Sequence, residues 1–204
     1  MTSRPEPGEI RALGIIGTAS ASSRTRALVD AVLDGASATG SVTSEVVALG
    51  TLELAIADAT RADDRTGDTR ELLVALDRAD VVVIGTPIHR ATYSALTKAM
   101  LDLVPRGTYD GSGRPLEAKP TVLVATAAVP EHFLGLEHLT AILHSFFAAL
   151  VIPPGVFASP RDFSDDGTLA EPLRRRAEQA GQALVELHRA LPDCPALASV
   201  TPQI

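Results

Sequence analysis

Val81-Val82-Val83-Ile84-Gly85-Thr86-Pro87-Ile88-His89-Arg90-Ala91-Thr92-Tyr93-Ser94-Ala95-Leu96-Thr97-Lys98-Ala99-Met100-Leu101-Asp102 is the stretch that decides the fold. Its first five residues form a short, continuous apolar run rich in β-branched side chains, the pattern of a strand buried on both faces of a parallel sheet. Pro87 is expected to end that strand, because proline cannot donate to a ladder. Apolar residues then recur at Leu96, Ala99, Met100 and Leu103, the spacing of one helical face, until Pro105 stops the helix. This is strand, loop, helix. Ligands of open α/β sheets sit beyond the carboxyl ends of the strands, so Thr86 to Tyr93 lie where a ligand is held.

Outward from this unit, the chain of 204 residues is long enough for one substantial core and too short for two. It reads as a single domain, residues 1–204, with a flexible N-terminus over 1–9 and a loose proline-rich tail over 191–204. A net charge of −7 and a pI near 5.2 argue against nucleic acid. The only dense basic run, Arg174-Arg175-Arg176, has acidic neighbours on both sides and reads as a solvated helix face. The single cysteine, Cys194, can form no intrachain disulfide, and the first nine residues carry no apolar signal core, so a reducing, cytoplasmic setting is expected. The most apolar stretch, Phe133 to Ile152, contains Glu137, His138, His144 and Ser145 and reads as a buried or interface helix, not a membrane span.

Ile10 to Ile16 is expected to form the first buried strand, followed by the loop Gly17-Thr18-Ala19-Ser20-Ala21-Ser22-Ser23-Arg24-Thr25. A helix then begins, capped by Ser22 or Ser23, with Leu28, Ala31, Val32 and Ala36 on its apolar face and Gly40 placed to end it. Unpaired N–H groups at that helix start, with surrounding hydroxyls and one arginine, suit a phosphate; an ordinary serine-rich cap is the alternative. Val42 to Leu49 is a second strand, and Asp58 to Gly67 a polar loop. Asp68 and Glu71 make an acidic capping box before a helix with Leu72, Ala75, Leu76 and Ala79 on its face. After the opening unit, Gly107 to Pro120 is a long surface connection to the strand Thr121–Thr126. Ala127 to Pro130 is a second candidate ligand loop.

The helix from about Glu131 to Leu150 is apolar on nearly all sides, so part of it is expected to pack on another subunit. Gly155 to Ala158 follows Pro153-Pro154 as an edge strand. Thr168 with Glu171 repeats the capping box before a last helix with a seam of Leu173, Ala177, Ala180, Leu184 and Leu187. Five strands alternating with five helices predict an α/β fold: a flavodoxin-like, doubly wound, five-stranded parallel sheet with helices on both faces.

The chemistry is narrowed by what the motifs lack. Gly14-Ile15-Ile16-Gly17 has the wrong spacing for a dinucleotide fingerprint, and no Walker loop is present, so one phosphate is expected in place of a pyrophosphate. His132, His138 and His144 recur every six residues and walk around a helix, which is a poor metal pattern. No Gly-x-Ser-x-Gly elbow is visible. With no evident acid–base or nucleophilic machinery, no catalytic side chain is assigned, and the reactivity is expected to come from a cofactor.

Gly17-Thr18-x-x-x-x-Ser23-Arg24-Thr25, then Thr86-Pro87-Ile88 and Ala91-Thr92-Tyr93-Ser94-x-x-x-Lys98-x-x-x-Asp102, resemble the NADPH-dependent FMN reductases of the flavodoxin-like superfamily, especially those feeding two-component alkanesulfonate monooxygenases. The resemblance runs from about Ile10 to the last helix. It implies an oxidoreductase that moves a hydride from NADPH or NADH onto N5 of FMN and releases reduced flavin to a partner monooxygenase. By the same resemblance, Thr18, Ser20, Ser23, Arg24 and Thr25 surround the FMN phosphate. Pro87, Ile88, His89 and Arg90 line the isoalloxazine and ribityl side, and Thr126, Ala127, Ala128 and Val129 run along the ring.

The chain departs from the family pattern at Ala127-Ala128, where Gly-Gly is usual, at His89, where tyrosine is usual, and at Ala95, usually glycine. His138 falls where the family has tyrosine or histidine at a local helix widening linked to tetramer assembly; an interface histidine without chemistry is the alternative. Lys98 and Asp102, at i and i+4, can simply pair with each other. A homodimer or homotetramer is expected. Two other readings stay open: a flavodoxin-fold binding or assembly protein with little flavin turnover, and an electron-transfer flavodoxin, which the absence of tryptophan and the presence of only two tyrosines disfavour.

Overall fold

The computed structural model describes residues 8–20, 23–106 and 113–202. Its elements in chain order are β1 (Ile10–Ile16), α1 (Arg24–Ser37), β2 (Val42–Ala48), α2 (Gly67–Arg78), β3 (Val81–His89), β4 (Thr92–Tyr93), α3 (Ala95–Leu103), β5 (Pro120–Thr126), α4 (Glu137–Phe147), β6 (Leu150–Val151), β7 (Val156–Ala158), α5 (Glu171–Ala190) and α6 (Pro195–Ala198). The sheet order is β2-β1-β3-β5, with β6 and β7 both on the outer side of β5 and β4 attached to β3. The fragments β6 and β7, separated by Pro153 and Pro154, occupy one strand position, so the parallel frame has five positions in the flavodoxin-like order. The extra strand is the two-residue β4, antiparallel to β3.

Every residue of β5 is buried, as are Val81 to Thr86 of β3, because helices cover both faces. One core lies under α2, α3 and α4 around Leu76, Ile84, Met100 and Leu139; the other lies under α1 and α5 around Ile16, Val32, Val83 and Leu184. The two outer helices approach closely because Gly35 and Gly181 face backbone: a Cβ on Gly181 would lie 1.9 Å from the Val32 carbonyl oxygen.

Several expectations need correction. β3 does not stop at Gly85 but runs to His89, with Pro87 paired opposite Thr126. The Gly85 carbonyl accepts from Gly17 N–H at 2.7 Å, so the β1 side is also the side toward which Pro87 lacks a donor; β1 has ended there, and no ladder bond is lost. The Asp68–Glu71 box does not form. Thr66 is the N-cap of α2, while the Asp68 carboxylate accepts the Glu53 N–H (2.7 Å) and the Thr69 hydroxyl the Ala55 N–H (2.8 Å), tying down the preceding loop.

The Thr168–Glu171 box is absent too: Ala170 precedes α5, and Glu171 pairs with Arg174 and Arg175. Arg174, Arg175 and Arg176 are all exposed, and Arg174 and Arg175 pair with acidic residues of the same helix, Glu171 and Glu178. The single helix from 131 to 150 divides into a 3-10 segment, Pro130–Leu136, and α4, which Ala148 ends in the left-handed region at φ 50°. Gly135 lets the tighter segment rest on Ile88, since a Cβ there would meet that side chain at 2.9 Å. α4 is a regular α-helix with His138 exposed on it, without the widening that the resemblance implied. Within the tail, a 3-10 turn at Leu191–Asp193 and α6 are both without buried residues, and Leu197 and Val200 face an apolar cavity that Leu150, Ile152 and Leu187 also line. Ser22, the first seven residues and 107–112 of the long connection lie outside the described residues.

Candidate functional site

The carboxyl ends of β1, β3 and β5 converge at one edge of the sheet. β1 ends in Gly17–Ser20, whose start is clamped by the Gly17–Gly85 backbone bond. Gly17 has no room for a side chain, because a Cβ would lie 2.0 Å from Thr97 Oγ1. On the other flank, Gly50 lies against the Thr18–Ala19 backbone, where a Cβ would meet Ala19 Cα at 2.4 Å. Thr18 Oγ1 accepts from Ser20 N–H at 3.3 Å, which curls the loop.

Ser23 is the N-cap of α1 and accepts from Arg26 N–H at 3.1 Å. The N–H groups of Arg24 and Thr25 therefore open the helix, with no acidic residue in its first turn. The exposed Arg24 guanidinium lies 5.5 Å from the ring centroid of Phe163, an aromatic face that restrains it at the rim of the loop. Thr25 is buried and its hydroxyl is 2.7 Å from that of buried Thr126, a direct tie between α1 and the end of β5.

The other half of this edge is a hairpin. His89 pairs with Thr92, and the two residues between them, Arg90 (φ 53°) and Ala91 (φ 66°), take the positive φ values of a type I′ turn without glycine. The tip, His89 to Ala91, is exposed, Pro87 is half-buried, and Ile88 is buried under Gly135. Opposite, Ala127 N–H donates to Ala158 O at 3.0 Å, and Ala127, Ala128 and Val129 become progressively exposed as the chain leaves the sheet.

All thirteen residues singled out from the sequence thus lie along one edge. Ile88, Thr25 and Thr126 turn inward and build it, whereas Thr18, Ser20, Arg24, His89, Arg90, Ala128 and Val129 face outward. Lys98 and Asp102 pair with each other at 2.5 Å on the surface of α3, away from the edge.

Sequence reading missed a buried hydroxyl cluster under the loop. Ser94 Oγ donates to Gly17 O at 2.5 Å and accepts Thr97 N–H at 3.1 Å, while Thr97 Oγ1 donates to Thr86 Oγ1 at 3.0 Å. The serine and threonine three residues apart at the start of α3 were the available signal, readable as a cap but not as a tie to residue 17. His132, in the 3-10 segment that follows Val129, has a buried Nδ1 with no hydrogen-bond partner among the described residues.

The donor set fits FMN. A hydroxyl-lined loop at a helix start with one arginine matches a dianionic monophosphate, and the neighbouring segments 87–90 and 126–129 offer backbone groups and the exposed side chains of Ala128 and Val129 to a ring.

Residues 10–164 match the sequence model of a family described as NADPH-dependent FMN reductase. The NADH-dependent FMN reductase SfnF of Pseudomonas fluorescens is 30% identical over 165 residues, 81% of this chain and 84% of that protein. An FMN reductase (NADPH) of Pseudomonas aeruginosa is 27% identical over 165 residues, 81% of this chain and 85% of the relative. Among solved structures, an oxidoreductase from Corynebacterium diphtheriae superposes with a TM-score of 0.68 at 29% identity, covering 89% of this chain and 98% of that one.

Proposed function

The chain belongs to the NADPH-dependent FMN reductase family, and from that premise we propose that it reduces FMN with NADPH or NADH and passes the reduced flavin to a partner flavin-dependent monooxygenase. FMN, when bound, supplies the hydride-accepting chemistry. Everything else falls to this chain's residues. Thr18, Ser20, Ser23, Arg24 and Thr25 bind the phosphate end through the loop, the helix start and one guanidinium. Pro87, Ile88, His89, Arg90 and Thr126 to Val129 hold the ring between the hairpin and the end of β5. No side chain is assigned as acid or base, because hydride transfer to a flavin requires orientation above all.

The observation that carries this reading is the joining of the two halves by buried bonds, Gly17 to Gly85 and Thr25 to Thr126, across the carboxyl ends of three strands. The homologues named for NADH and for NADPH support use of either nucleotide. The lone exposed cysteine supports a cytoplasmic setting, and no described helix is long and apolar enough to cross a membrane.

The test is nicotinamide oxidation at 340 nm with and without added FMN. The rate is expected to depend on added FMN, with nearly colourless protein when FMN is withheld during purification. A strongly yellow protein indifferent to added flavin would indicate a permanently bound cofactor. Absence of both oxidation and flavin binding would replace the reductase with a binding or assembly protein.

A further inference from the structure

We propose that Ser94 is a positioning residue for FMN: through the buried Ser94–Thr97–Thr86 hydroxyl cluster it sets the phosphate loop at a fixed spacing from the ring-side hairpin, and so selects flavin that carries the monophosphate. The inference rests on the placement of the FMN phosphate at residues 18–25 proposed above.

The cluster lies between the two halves of the site. Thr86 is on β3 one residue before Pro87, Ser94 is the N-cap of α3, and Thr97 is in the first turn of α3; Ser94 is 4% exposed, and Thr86 and Thr97 are wholly buried. The proton directions are set by the donors available. Thr97 donates to Thr86 (3.0 Å), Thr86 donates to Pro87 O (3.2 Å), and Ser94 N–H donates to Thr86 Oγ1 (3.0 Å). Ser94 Oγ accepts the Thr97 N–H as a helix cap, so its own proton goes to Gly17 O. One end of the cluster thus grips the first carbonyl of the phosphate loop, and the other grips the carbonyl of the first ring-side residue.

Gly17 is held at both of its backbone groups, the N–H by Gly85 and the carbonyl by Ser94. The Thr97 hydroxyl fills the space that a Gly17 side chain would need. A loop fixed in this way presents its donors at one distance from Pro87 and His89. Loss of the Ser94 donor leaves a buried carbonyl unpaired and frees the loop to shift, which weakens contacts to the phosphate more than contacts to the ring.

The test uses full-length, flavin-free protein and fluorescence quenching by titration with FMN and with riboflavin. Ser94→Gly removes the donor but keeps an acceptable N-cap, since glycine is itself among the residues favoured at that position. FMN affinity should fall about threefold to tenfold, the equivalent of one net hydrogen bond, while riboflavin affinity stays within about twofold. Ser94→Thr, which restores the hydroxyl, should recover FMN affinity, and steady-state rates should show a raised KM for FMN with kcat nearly unchanged. Arg24→Ala, measured in parallel, tests the underlying placement and should itself separate FMN from riboflavin by about tenfold to a hundredfold. If Arg24→Ala separates the flavins and Ser94→Gly does not, the positioning role is overturned. If Arg24→Ala fails to separate them, the phosphate placement falls and the positioning role falls with it.

Discussion

Lys119 reaches across from the strand start before β5 to the carboxyl end of α2, where its Nζ donates to Leu76 O at 2.6 Å and, at 3.4 Å, to Asp77 O. Burial lowers its pKa from the ordinary 10.5 to about 8, with Asp77 and Asp80 opposing the shift and Arg11 adding to it. Between pH 8 and 10.5 the unfolded chain holds this proton while the folded chain has released it. Stability attributable to Lys119 therefore rises with pH across that window and is level below it. The difference in urea midpoint between the wild type and Lys119→Met, at pH 7, 9 and 10.5, isolates the effect because other titrations cancel. A difference that does not change with pH would remove the burial argument.

Ala127 and Ala128 are not among the residues with positive φ, so neither needs the conformation that only glycine adopts freely. Restoring Gly-Gly should then lower stability by about 0.4–1 kcal/mol per site through the unfolded chain, and leave FMN affinity within about twofold. Tenfold tighter FMN in the double variant would instead show that the methyl groups hold the ring away.

At the scale of elements, alanine occupies three left-handed positions where glycine would be relaxed, Ala91, Ala118 and Ala148, and two of them turn or end an element. Ala91 (φ 66°) is the second residue of the hairpin turn and Ala148 (φ 50°) ends α4, with its N–H shared between His144 O and Leu143 O. A left-handed non-glycine residue costs about 1–2 kcal/mol, so Ala148→Gly should raise stability by about 1 kcal/mol, or roughly 2–4 °C in Tm, without altering FMN binding. Ala91→Gly should raise stability equally but weaken FMN, because the strained turn holds His89 and Arg90 in one arrangement. Thermal unfolding with flavin titration on both variants checks this. Equal FMN affinity in the two would show that the turn has no part in binding.

Elements were also where sequence legibility ended. Strands β1 and β5 and the faces of α1 and α5 were readable, because burial imposes a periodicity that local composition reveals. The capping boxes were not, because Asp68 and Thr69 serve a distant loop and Glu171 serves Arg174. Nor was the hairpin, since two non-glycine residues carry a turn that the sequence signals of type I′ assign to Asn-Gly. In the site, the loops could be placed by strand order alone. The Ser94–Gly17 bond spans 77 residues and leaves no trace in local pattern.

For the whole molecule, the segment from Val129 to Phe147 sets the question of assembly. Leu136, Leu139, Leu143 and Phe147 face the core, yet Phe133 is 60% and Leu134 59% exposed, with Val129 and Phe146 also open to solvent. The Arg106 guanidinium lies 5.3 Å from the Phe146 ring centroid, a polar rim of the sort that borders buried patches. Burying a leucine or phenylalanine is worth about 1.5–3 kcal/mol, so an assembly built on this segment should lose most of its affinity when Phe133 and Leu134 both become serine. Neither side chain is in the core, so Tm measured on the dissociated protein should change little. Light scattering should show a dimer or tetramer for the wild type and a monomer for the double variant at micromolar concentration. Val129 belongs both to this apolar surface and to the edge proposed to hold the ring, and on that proposal the monomer should bind FMN more weakly while the untouched loop proposed for the phosphate keeps a preference for FMN over riboflavin. A wild-type monomer would detach the exposed aromatics from self-assembly. A variant that dissociates yet binds FMN as the wild type does would show that each chain holds its flavin alone.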